Sequence, residues 1–152
     1  MTLYQLSERL VGEIVERPGA ANHPFVVWCH ESTIGQNTPD DVPWCSSYIN
    51  RLAWWCRLPR SRSAAARSWL AIGVPVPIEQ AQPGANDVVI LKRGTGAQPG
   101  AEVLDAPGHV GIFMGVEAGR VRVLGGNQGD AVSLASFPVA SVLGVRRLNV
   151  EG

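Results

Sequence analysis

Cys45 stands in the run Asp41-Val42-Pro43-Trp44-Cys45-Ser46-Ser47, directly ahead of a stretch with helical apolar spacing. Far downstream, His109 opens a strand-like run, His109-Val110-Gly111-Ile112-Phe113-Met114-Gly115. A cysteine at a helix start and a histidine on a strand are the two halves of a thiol hydrolase. The thiolate is the nucleophile, and an ordinary thiol at neutral pH is mostly protonated. Unpaired N–H groups at a helix N-terminus favour negative charge. A protonated imidazole beside the sulfur favours it further. The expectation is therefore a Cys45–His109 ion pair. The same helix start offers the backbone N–H groups of Cys45 or Ser46 to a tetrahedral oxyanion.

An imidazole base needs a partner on its far nitrogen. Asn127 lies at the end of the next expected strand, in Leu124-Gly125-Gly126-Asn127-Gln128-Gly129-Asp130. On an antiparallel neighbour of the His109 strand, its side chain meets the ring on one face. Gln128 then points to the opposite face if the strand continues, and Asp130 is the alternative carboxylate. Trp44, beside the nucleophile, is expected to wall the groove. Trp54 and Trp55 cannot both face inward on one helix, so one of them stays partly exposed.

These groups need a scaffold. Leu3, Leu6, Leu10, Ile14 and Val15 recur at helical spacing up to Pro18-Gly19. Residues 24–34 read as a short second helix with Pro24 near its start. Gly35 to Pro43 is a polar turn region. In residues 46–58, Ile49, Leu52, Ala53 and Cys56 form an apolar stripe that Pro59 stops. Residues 63–72 read as a further helix, with Ser61 or Ser63 as N-cap and Gly73 as C-cap. Strands are expected at 87–93, 109–116, 120–124 and 142–148, with Glu117-Ala118-Gly119 as a hairpin turn. Residues 94–108, rich in Gly, Pro and Ala, read as a long loop beside the site. Helices first and strands after make the class α+β with an antiparallel sheet.

Composition narrows the partners. The chain has 152 residues, enough to bury a core in one domain, and its formal net charge is zero. Bulk attraction to nucleic acid or an anionic surface is therefore not expected. Arg57, Arg60, Arg62 and Arg67 read as a solvated helix end. Three cysteines without regular spacing argue against a disulfide framework. Cys29 and Cys56 sit in apolar helical settings and read as core. Cys29-His30 with His23 lacks zinc-ligand spacing, so no metal and no cofactor is expected. No signal peptide is read at the start, and no apolar run approaches the length of a membrane span.

Five blocks in order carry a resemblance: Pro43-Trp44-Cys45-Ser46-Ser47, Ala65-Ala66-Arg67-Ser68-Trp69-Leu70, Asp87-Val88-Val89-Ile90-Leu91, Pro107-Gly108-His109-Val110-Gly111 and Leu124-Gly125-Gly126-Asn127-Gln128. Together they resemble the NlpC/P60 and CHAP cysteine peptidase superfamily, and more narrowly a small branch found with phages and prophages. The likeness runs from Glu16-Arg17-Pro18-Gly19 and Asn22-His23-Pro24 to Gly144-Val145-Arg146-Arg147. It implies a papain-like fold with N-terminal helices on an antiparallel sheet. It implies hydrolysis of an amide bond in peptidoglycan stem peptides, with Cys45 as nucleophile and His109 as base. It also implies a polar third residue on the next strand; this position varies between His, Glu, Asn and Gln in the superfamily, and Asn127 matches it best. The expected protein is a single catalytic domain over residues 1–152 without a separate wall-binding unit. It would be made in the cytoplasm and released by a holin or a secretion system. A phage or prophage endolysin leads; an injected antibacterial effector and a non-catalytic wall-binding tail module are the alternatives.

Overall fold

In a computed structural model, residues 1–15, 23–34 and 43–149 are described. The expected helix stop at Pro18-Gly19 and most of the 35–43 turn lie outside them. Three α-helices, α1 (Leu3–Glu8), α2 (Pro24–His30) and α3 (Cys45–Trp55), precede six strands. The strands are β1 (Val74–Val76), β2 (Asp87–Lys92), β3 (Gly108–Glu117), β4 (Arg120–Gly125), β5 (Ser133–Pro138) and β6 (Val142–Arg147). They form one antiparallel sheet in the order β1-β6-β2-β3-β4-β5. The class is α+β, and no described helix is long and apolar enough to cross a membrane.

Each helix is shorter than its apolar periodicity predicts. α1 starts on a capping box, in which Thr2 and Gln5 satisfy each other's backbone N–H groups. It ends at Glu8, and Val15 instead bridges to Ala131. The 63–72 segment is a 3-10 helix over Ala66–Ala71 rather than an α-helix. Ser63 caps a turn there by accepting the Ala65 N–H. Two strands escape the sequence reading. β1 is a three-residue edge strand built around Pro75, where a missing N–H faces outward at no cost. β5 has Leu134 turned to solvent and Ser133 on the inner face, which interrupts its apolar alternation.

The sheet buries both faces. On one side Val88, Ile90, Val110 and Ile112 meet α3 and the other helices. On the other, Val89, Leu91, Phe113, Val121 and Val123 form a smaller cluster. Cys29 is fully buried in the larger core and Cys56 packs partly against it, as expected. β3 and β4 are joined by Ala118 and Gly119, both at positive φ, the backbone a tight hairpin demands.

The first turn of α3 is fastened to its surroundings by polar side chains. Ser46 Oγ donates to Ser63 O at 2.6 Å and accepts from Trp69 Nε1 at 2.9 Å. Asn50 accepts the Arg62 N–H at 2.7 Å. Ser47 Oγ bonds His30 Nδ1 at 3.0 Å and Thr33 Oγ1 at 2.6 Å. The helix start that presents Cys45 is thereby fixed from three directions.

Candidate active site

α3 begins at Cys45, with Trp44 as its N-cap. Trp44 is not a groove wall. It is fully buried, edge-on to Tyr48 at 6.1 Å between ring centroids. It lies so close to Gly126 that a Cβ there would come within 2.5 Å of its ring. The reason is where β4 ends. Its last pairing with β3 is Leu124 with Ile112; Gly125 pairs only with Ser133 of β5, and Gly126 then leaves the ladder. The N-terminal end of α3 fits against that departure, with the indole on the bare backbone of Gly126.

The backbone N–H of Val110, the residue after His109 on β3, is near enough to the Cys45 sulfur to lower its pKa. The N–H groups of Ser46 and of Cys45 itself also point at it. The helix start thus aims donors at the sulfur, while the Ser46 side chain is spent on structure. These donors and the charge of Arg93 lower the thiol pKa, but burial is the larger effect and pushes it above its ordinary value. That shift favours the protonated thiol.

The His109 ring sits at the start of β3, buried, 5.4 Å from the ring of Phe137 on β5. Its Nε2 bonds Gln128 Oε1 at 2.8 Å. Gln128, not Asn127, is therefore the group on the imidazole. The strand does not continue past Gly125; Asn127 adopts φ 57° in the turn that follows, so strand alternation no longer governs which side chain faces the ring. Asp130, also at positive φ, is exposed and bonds nothing in the site. Asn127 lines the same cleft without bonding the ring.

Gln128 is held on its other side. Its Nε2 donates to Val123 O at 3.1 Å and to Ser133 O at 2.7 Å. Two carbonyl acceptors fix which end of the amide carries the nitrogen. Oε1 must then be the acceptor toward His109, so Nε2 of the ring carries the proton. Nδ1 is left with its lone pair. Burial lowers the His109 pKa below its ordinary 6.5, the Gln128 bond raises it in part, and Arg93 lowers it again. No hydrogen bond joins the ring to the Cys45 sulfur. Burial raises the thiol pKa and lowers that of the imidazole, so both shifts oppose the expected ion pair.

Arg93 is the site residue the sequence reading passed over. It lines two adjoining clefts. One, of about 440 Å³, also holds Lys92, His109, Asn127, Gln128 and Phe137. The other, of about 380 Å³, holds Pro43, Cys45, Ala66, Asp105 and Gly108. The place of Arg93 follows from the register: Leu91 pairs with His109 and Lys92 with Gly108, so the residue after β2 lies beside the approach to the ring.

The 94–108 loop is pinned from beneath. Arg67 is fully buried, and its guanidinium donates to Pro107 O at 3.0 Å, Gly100 O at 2.7 Å, Val103 O at 3.0 Å and Pro99 O at 3.0 Å. It is not part of a solvated cluster with Arg57, Arg60 and Arg62. Its position under Gly108 sets the backbone that enters His109, and a Cβ on Gly108 would lie 2.9 Å from the Arg67 side chain.

Among the described residues, no group of three or more metal-ligating side chains converges. Compared with known proteins, the chain matches no family model and no curated protein sequence.

Proposed function

We propose that this protein is a cysteine hydrolase that cleaves an amide bond of peptidoglycan stem peptides, with a papain-like fold of the NlpC/P60 type. One observation carries the reading: Cys45, at a helix start, and His109 line adjoining clefts that share Arg93, and the Nε2 proton of His109 is fixed by Gln128. That arrangement supports His109 Nδ1 as the base. Substrate carbonyl carbon is attacked by sulfur as the thiol proton passes to Nδ1. The N–H groups of Cys45 and Ser46 receive the developing oxyanion. The imidazolium then protonates the leaving amine, and water, deprotonated by the same nitrogen, releases the acid product and regenerates the thiol. Gln128 keeps the ring oriented and accepts from it in both protonation states.

The substrate and its setting follow from the ordered sequence blocks rather than from the site. Peptidoglycan is the partner; neither nucleic acid nor membrane insertion belongs to the reading. The leading role is that of a phage or prophage endolysin made in the cytoplasm, reaching the wall through a holin. An injected antibacterial amidase uses the same chemistry. Cys45→Ala is expected to abolish the turbidity loss of purified sacculi while the thermal melt stays close to that of the parent. Full activity in that variant refutes the mechanism. Mass spectrometry of the released fragments distinguishes an N-acetylmuramoyl-L-alanine amidase from a D-Glu–diaminopimelate endopeptidase.

A further inference from the structure

At the far end of α3 from Cys45, about 15 Å along its axis at 1.5 Å per residue, lies a second cleft. Its volume is about 550 Å³, and Trp28, Trp54, Trp55 and Arg57 line it. The Trp28 ring stands edge-on to Trp54 at 5.9 Å and to Trp55 at 5.8 Å. Trp54 and Trp55 are 48% and 51% exposed, so two indoles that burial would normally claim present about half their surface to water. Nothing in the proposed chemistry uses them.

The cations around them are equally unspent. Arg51 lies over the Trp28 ring at 4.1 Å and the Trp54 ring at 5.0 Å, and it donates to Trp28 O at 2.7 Å. It stiffens the ring cluster from behind. Arg57 lines the cleft at φ 59°, and among the described residues no carboxylate pairs with it. Arg60 stands near enough to Arg62 and Arg51 to feel their charges. The patch is thus aromatic and cationic, with no acid among the residues lining it. Trp and Arg are the side chains most often found to carry binding energy at recognition surfaces.

We propose that this cleft is a binding site for an anionic saccharide: pyranose rings packing their C–H faces on Trp54 and Trp55, with carboxylate or phosphate substituents on Arg57. The electron-rich face of an indole attracts the partial positive charge of sugar C–H bonds. The unpaired guanidinium supplies the complementary charge. The choice of saccharide rests on the hydrolase reading above, because a wall polymer presents both features. A polymer held here stays tethered to the domain at a distance from Cys45, which gives the domain affinity for an insoluble substrate.

The test measures co-sedimentation of the full chain carrying Cys45→Ala, so that binding is read without turnover. Sacculi are used intact and after acid stripping of covalently attached phosphate polymers. Adding W54A and W55A is expected to weaken binding about tenfold or more, and R57Q several-fold, with unchanged melting temperature. Binding that survives stripping assigns the ligand to the peptidoglycan itself; binding lost on stripping assigns it to the phosphate polymer. Undiminished binding in the double Trp variant overturns the proposal. So does tighter association of the parent with anionic phospholipid vesicles than with either form of sacculus. With Cys45 present, the Trp variant should lose cleavage of sacculi but retain hydrolysis of a soluble glycan-free stem peptide. A parent that binds sacculi through these indoles yet hydrolyses neither substrate overturns the hydrolase reading alone.

Discussion

Gln128 offers the sharpest test of how His109 works. Gln128→Leu keeps the side-chain volume and removes three hydrogen bonds, at 2.8 Å to His109, 3.1 Å to Val123 O and 2.7 Å to Ser133 O. At about 1 kcal/mol net per neutral bond, the variant should lose about 3 kcal/mol of stability. The ring also loses the acceptor that pulls its pKa upward, so burial and Arg93 are left to depress it further below 6.5. A base must be unprotonated, so the acid limb of the kcat/KM profile should lie below pH 6.5 in the parent and lower still in Gln128→Leu. The rate plateau should fall about tenfold to a hundredfold, part of the range a positioned base supplies. Gln128→Glu moves the limb the other way, because a carboxylate at Oε1 favours the imidazolium. That variant still forfeits both bonds to the carbonyls. The assay is hydrolysis of a soluble stem peptide across about pH 4 to 9, on either side of the ordinary imidazole value, with thermal melts alongside. A parent limb centred above pH 6.5, or one that Gln128→Leu leaves in place or shifts upward, refutes the neutral-pair account.

The remaining predictions concern the frame around the site. Gly126→Ala places a methyl 2.5 Å from the Trp44 ring, where neither backbone nor indole can yield; a loss of about 1–3 kcal/mol is expected by chemical denaturation. Arg67→Met leaves four loop carbonyls without their donor, and should cost about 3 kcal/mol or more, with earlier proteolysis within residues 94–107. Asn127→Gly relieves a left-handed backbone position, so the melting temperature should hold or rise slightly, and hydrolysis should persist because the residue does not bond the ring.

Much of the scaffold was legible because it rests on short-range rules. The stripe through Ile49, Leu52 and Ala53 marks α3, and the β-branched run at Asp87–Lys92 marks β2. Cys45 and His109 stood out because each opens its element. What escaped depends on where strands stop and which chains lie side by side. The exchange of Asn127 for Gln128 turns on the left-handed turn at Asn127 that follows β4, which no periodicity announces. β5 was missed because Ser133 lies on the inner face and Leu134 on the outer, which breaks the alternation that Ala135, Ser136 and Phe137 otherwise keep. Arg93 and Arg67 look like surface cations in sequence. The first gains meaning only from the β2–β3 register, the second only from the loop folded over it. The sequence carries no measure of the burial that opposes the ion pair: both groups are buried, and desolvation raises the thiol pKa and lowers that of the imidazole.

The clasp of Arg67 on main-chain oxygens has a practical corollary. An arginine held by carboxylates lets go when acid neutralises its partners, whereas peptide oxygens have no proton to gain in that range. The floor beneath His109 therefore keeps its shape through acidification, and any loss of turnover at low pH traces to the imidazole itself rather than to a collapsing cleft.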